Sequence, residues 1–168
     1  VNHLHELGHR LIAHIAGDTT TDAGRARIEG YQQAMEQLDL PIPDGYLVNG
    51  GFFSGEEGKR AMNELLALPE RPTAVFVAGD EMAIGAIEAI HEAGLRIPED
   101  ISVVGYDDIY MAQYITPKLT TVRQDTETIG QHAASVLIEQ IVNKKRVTTR
   151  DVIPVNLMVR QSTGPVPE

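Results

Sequence analysis

The stretch LHELGHRLIAHIAG, Leu4 to Gly17, admits two readings that lead to different folds. Read as one helix, His5-Glu6-Leu7-Gly8-His9 matches the H-E-x-x-H pattern, in which two imidazoles one turn apart hold zinc and the glutamate acts as base. Read as helix, turn and strand, the two histidines part company. Gly8 is the residue expected just past a helix end, where a left-handed backbone meets no Cβ clash. After it, Leu11 to Ala16 is a short apolar run bounded by Gly17, the pattern of a buried strand. A third zinc ligand is also missing: His14 falls one place short of the x-x-G-x-x-H extension, and Ile12 stands where its glycine belongs. The second reading is therefore taken, with His9 in a helix-to-strand turn, pointing away from His5, and both histidines solvated.

Working outward from that strand, apolar runs alternate with amphipathic helical patterns. Strands are predicted at Leu11 to Ala16, Tyr46 to Val48, Ala74 to Ala78 and Ile101 to Gly105, and helices at Asp22 to Leu38, Gly55 to Leu68 and Glu81 to Ala93. Gly94 and Pro98 follow the third helix in the order that ends helices. Units of about 30 residues are one strand-helix step, so the fold class is α/β, a parallel sheet with helices on both faces. Beyond Asp107 the pattern changes. Asp107 to Lys118 has no period, Leu119 to Arg123 reads as a short strand, and Thr126 to Asn143 as a long helix with Ile129, Ala133, Val136, Leu137 and Ile141 inward. Val152 to Val159 reads as a further strand, placed at an edge by Pro154, and Gly164 to Glu168 as a loose tail.

Composition removes several function classes. The 168 residues include no cysteine, so there is no disulfide framework or thiolate site, a composition compatible with the cytoplasm. A formal net charge of −10 disfavours nucleic-acid binding by this chain itself. Lys144-Lys145-Arg146, its one basic run, reads as a helix C-terminus meeting its dipole. No apolar run approaches the roughly 20 residues that span a bilayer, and no secretion signal opens the chain. It begins inside a helical pattern without an initiator Met, as a fragment would.

In an open parallel sheet, ligands bind beyond the carboxyl ends of the strands. Here every strand ends in a polar, glycine-containing corner: Gly17-Asp18-Thr19-Thr20-Thr21, Asn49-Gly50-Gly51-Phe52-Phe53, Gly79-Asp80-Glu81 and Gly105-Tyr106-Asp107-Asp108. With Arg25 and Arg27 early on the following helix, one rim gathers carboxylates, hydroxyls, an arginine pair and aromatic faces, suited to a polyhydroxylated or small polar ligand. Each element has a structural reading beside it. Asp107 could cap a turn, and Asp80 is read as the N-cap of its helix. One or both arginines could be solvated, and Phe52 and Phe53 could be core, although neighbours in a loop cannot both point inward. Gln124 could pair with backbone alone. Catalytic motifs are weak: Gly58-Lys59-Arg60 lacks the rest of a P-loop, no G-x-G-x-x-G follows the first strand, and no G-x-S-x-G is present. Asp107-Asp108 could suggest a phospho-acceptor, with nothing else to support it.

The particular words carry more than the pattern. Leu7-Gly8-His9-Arg10, Arg25-Ala26-Arg27-Ile28-Glu29-Gly30-Tyr31, Gly79-Asp80-Glu81-Met82-Ala83-Ile84-Gly85, Ile97-Pro98-Glu99-Asp100-Ile101-Ser102-Val103-Val104-Gly105-Tyr106-Asp107-Asp108 and Thr116-Pro117-Lys118-Leu119-Thr120-Thr121-Val122-Arg123-Gln124 closely resemble, in order, the lactose and galactose repressor family of bacterial transcription regulators. The resemblance implies the C-terminal portion of a type I periplasmic-binding-protein-like effector module, one lobe largely complete and the other mostly missing. Residues 1–118 would form the C-terminal lobe, 119–147 a crossover strand and helix of the N-terminal lobe, and 148–168 the return strand and tail. It implies ligand-binding roles for Arg27, Phe53, Asp107 and Gln124, and a small-molecule effector, with sugar or sugar phosphate favoured and purine open. Gly79 departs from members with Asn there, which weakens carry-over of any particular sugar. It further implies allosteric control, a cytoplasmic homodimer meeting through Gly55 to Leu68 and Met82 to Ala89, operator DNA bound only through an absent helix-turn-helix, no cofactor, no membrane and no enzymatic activity. A periplasmic sugar-binding protein of a transport system is the rival with the same cleft.

Overall fold

The computed structural model describes residues 1–144 and 151–167. Helix α1 (Asn2–Glu6) stops at Leu7, and Gly8 follows at φ +96°, so the zinc-type helix never forms. Strand β1 (Ile12–Ala16) is wholly buried. Then come α2 (Asp22–Gln37), β2 (Leu47–Asn49), α3 (Gly55–Leu66), β3 (Ala74–Val77), α4 (Asp80–Glu92), β4 (Ser102–Asp107), a short 3₁₀ turn at Tyr110–Gln113, β5 (Thr120–Arg123), α5 (Thr126–Asn143) and β6 (Asn156–Met158). The six strands form one sheet in the order β2-β1-β3-β4-β5-β6, parallel except for β6, which lies antiparallel at the edge.

Strand alternation divides the core. Ala13 and Ile15 of β1, with Val75, Val77 and Val103, pack beneath α3 and α4 through Met62, Leu65, Met82 and Ile90. Ile12, Ala74 and Val104 pack on the other face against Leu4, Tyr31 and Met35. Helices thus cover both faces, as the pattern required. Helices α3 and α4 touch backbone to backbone: a Cβ on Gly58 would stand 2.0 Å from the Met82 carbonyl oxygen, and one on Gly85 1.8 Å from that of Gly55.

Several expectations are corrected. His9 is not solvated. It is fully buried, its Nδ1 bonded to Thr73 Oγ1 (2.9 Å) and its Nε2 near Ser102 Oγ and the Gly164 carbonyl, both at 3.1 Å. The turn delivers the ring into the sheet's lower edge, where those polar groups need a partner. The tail is not loose through Val166: Val166 N–H donates to the Leu7 carbonyl, and Gly164 N–H to Ser102 Oγ. The strand expected over Val152 to Val159 begins only at Asn156, past Pro154, which has no N–H to give a ladder. Segment Thr120–Arg123 is not part of another lobe's sheet: Val104↔Thr120 through Asp107↔Arg123 make it the fifth parallel strand here. Helix α5 has no buried residue: its expected inward face, with Ile129, Leu137 and Ile141, lies uncovered, as its place in the mostly missing lobe implied. Met82, Ala83, Ala86 and Ala89, within the expected dimer surface, lie in the core. Lys144 closes α5 in the left-handed conformation, while Lys145 and Arg146 lie outside the described residues.

Candidate functional site

Arg27 sits on the second turn of α2, whose start is set by Thr21: its hydroxyl accepts from Gly24 N–H. The two arginines part here. Arg25 folds back on the Thr19 and Thr20 carbonyls and on Asp22. Arg27 reaches across the sheet end instead, its NH2 group donating to Asp107 Oδ1 at 3.2 Å. The same oxygen accepts from Gln124 Nε2 at 2.7 Å. The guanidinium carbon stands 4.1 Å from the Tyr106 ring centre and 5.2 Å from that of Phe53, within cation–π range of both. All four residues singled out by the resemblance therefore meet at one point of the rim.

Backbone geometry makes the meeting possible. Plain alternation would turn Asp107 to the face opposite Tyr106. Its φ of +111°, followed by +54° at Asp108, breaks the extended run and swings the carboxylate over the strand end. Phe53 lies where side chains are missing: a Cβ on Gly17 would come within 2.2 Å of its ring, and one on Gly79 within 3.2 Å. The glycine at 79, unlike an asparagine, makes room for this ring. Phe52 is 78% exposed, so only Phe53 joins the site.

Charges around the cluster are unequal in state. Half-burial raises the Asp107 carboxyl pKa despite Arg27 and the Gln124 hydrogen bond. Burial would raise Asp108 too, but its bonds to Arg160 (2.6 Å) and Arg123 (2.5 Å) outweigh it and hold the carboxyl below its ordinary value. Asp108 thereby ties β5 to the segment after β6. Asp80, expected as a helix cap, is instead the first residue of α4, after Gly79. Its buried carboxylate accepts from Thr121 Oγ1 (2.6 Å) and Ile109 N–H (2.9 Å), and desolvation, with Asp107 and Asp108 nearby, pushes its pKa up to about 6. It braces the floor of the rim.

Two grooves meet at Gln124. One, of about 600 Å³, is mainly apolar and runs between α1, α2 and β4 to β6 past Arg27, Tyr31, Phe76 and Tyr106. The other, of about 580 Å³, is polar and bordered by Asp107, Tyr110, Gln113, Arg123 and Asn156. Tyr106 was missed as a site residue, although period-two counting from Val104 places it on Arg27's side. Arg160 gave no signal, since its partner lies 52 residues away. Among the described residues, no group of three or more His, Asp or Glu is placed to hold a metal ion, and no helix is long and apolar enough to cross a membrane.

The profile of a periplasmic binding protein-like domain matches residues 1–163. The "HTH-type transcriptional repressor PurR" of Escherichia coli O139:H28 (strain E24377A / ETEC) is 41% identical over 165 residues, covering 98% of this chain and 48% of the repressor. Among solved structures, the transcriptional regulator CelR in complex with cellobiose superposes with a TM-score of 0.90 at 38% identity, over 95% of this chain and 49% of that one. A dimeric Lac repressor with an 11-residue C-terminal deletion gives 0.90 at 35% identity, over 99% and 60%. The chain spans about half the length of the curated relatives it matches. These relatives bear the names of repressors and regulators, not enzymes.

Proposed function

Because this chain belongs to the periplasmic binding protein-like domain family, as the C-terminal effector-binding portion of a regulator of the lactose and galactose repressor type, we propose that it senses a small polar molecule and controls DNA binding by its parent protein. The observation that carries this reading is the convergence of Arg27, Phe53, Asp107 and Gln124 on one rim. An aromatic face, a carboxylate oxygen and an amide at strand ends grip ring hydroxyls by stacking and hydrogen bonds. A sugar is the favoured effector, in keeping with the cellobiose in the CelR complex.

The ligand would lie between this lobe and a second one, to which α5 belongs. The uncovered apolar face of α5, with Leu137 at 58% and Ile141 at 67% exposure, supports that allocation. Closure of the lobes on ligand would shift the relative pose of two DNA-reading heads in a cytoplasmic homodimer. The test is a thermal-shift screen of sugars, sugar phosphates and nucleobases on the chain extended by the preceding lobe, with Arg27→Ala and Asp107→Ala in parallel. A stabilising compound whose effect is lost in both variants supports the site. A compound indifferent to both changes refutes it.

A further inference from the structure

Every guanidinium at this rim already has a carboxylate. Arg27 holds Asp107, Arg25 holds Asp22, and Arg123 and Arg160 share Asp108. Arg27 is well enclosed, with 13% of its side chain exposed, and its charge is further occupied by the Tyr106 and Phe53 faces. Helix N-termini are the other usual source of positive potential for anions. Those facing this rim are acidic in their first turns: Asp22 in α2, Glu56 and Glu57 in α3, Asp80 and Glu81 in α4, and Glu127 in α5.

We propose that Asp107 serves as an internal counter-ion to Arg27 and makes the site selective for uncharged, hydroxyl-rich ligands against phosphorylated or carboxylated ones. An anion entering here would find Arg27 neutralised and would face the Asp107 carboxylate, with the acidic first turn of α4 at the same rim. Its desolvation would have no matching charge to offset it. A neutral hydroxyl can donate to Asp107 Oδ2, the oxygen left free of Arg27 and Gln124, and stack its ring on Phe53 without disturbing the ion pair. The inference rests on the ligand-site reading above but concerns the charge of the site. It is tested with inorganic phosphate, so it stands or falls whether or not an effector is found.

Phosphate is titrated into the wild-type chain, Asp107→Asn, and Asp107→Asn with Arg27→Gln, against potassium chloride at matched ionic strength, following the melting temperature and the phosphorus-31 linewidth. The wild type is expected to show no saturable response. Asp107→Asn, which keeps the side-chain shape and tolerates positive φ, is expected to bind phosphate at least about tenfold more tightly. The double variant is expected to lose that gain. Should Asp107→Asn not fold, Asp107→Gly, suited to the same φ, takes its place. Saturable phosphate binding by the wild type that Arg27→Gln removes overturns the proposal. So does a folded Asp107 variant that gains nothing.

Discussion

His14 sets a limit on the acid tolerance of this fold. Its ring is fully buried in the middle of β1, stacked on Phe76 at 4.6 Å, and its Nε2 has no hydrogen-bond partner. Burial drives its pKa from 6.5 to about 4, against the pull of the Phe76 carbonyl on Nδ1. In the unfolded chain the ring takes a proton as pH falls through 6.5, while the folded chain refuses it until about 4. Stability is therefore lost as pH falls across that window. Linkage puts the loss at about 0.2 kcal/mol at pH 7 and about 2 kcal/mol at pH 5. His14→Leu removes the titration while keeping an apolar strand residue of similar size. Urea unfolding followed by circular dichroism at pH 7 and pH 5 should show the wild type losing about 1.8 kcal/mol more than the variant over that interval. Asp80, its pKa raised to about 6, acts in the opposite direction as pH falls, but it is present in both proteins and cancels in the difference. Equal acid losses in the two proteins would refute the reasoning.

Two other perturbations read the packing and the rim. Gly58→Ala forces a Cβ against the Met82 carbonyl and should separate α3 from α4, costing about 3 kcal/mol or more in urea unfolding. Thr121→Val takes a donor from the buried Asp80 carboxylate and should cost about 1–3 kcal/mol at pH 7. Because the hydroxyl helps hold the ionised form, that cost should shrink at pH 5, where Asp80 is largely protonated; a pH-independent loss would mean that the bond is not to a carboxylate.

The strand-helix alternation was legible because each period is local. Helices α2, α3 and α5 start at the residues the pattern named, since capping and amphipathicity are decided within one or two turns. The stop at Gly8 was likewise visible, for a glycine's conformational freedom is a property of the residue itself. The errors fall where distant groups decide. His9 is buried because Thr73, Ser102 and Gly164 close around it, and Gly164 is 155 positions away. Asp80 turned from cap to brace because Thr121, 41 residues on, arrives beside it. The period of α5 does not itself say what covers its apolar face; that the face is bare here was implied by the resemblance, which assigns the helix to the mostly missing lobe.

By itself, then, the sequence determined the α/β order, the end of the zinc-like motif at Gly8, a polar rim at the strand ends and, through the family resemblance, the choice of Arg27, Phe53, Asp107 and Gln124. These follow from turn chemistry, periodicity and specific sequence words. Only the tertiary structure decided that Arg27 and Gln124 spend their donors on one oxygen of Asp107, that Tyr106 completes the guanidinium's surroundings, and that Gly17 and Gly79 open the space for Phe53. Distance and direction between residues up to 80 positions apart belong to the packed sheet, because a side chain's charge is set by what the fold brings beside it.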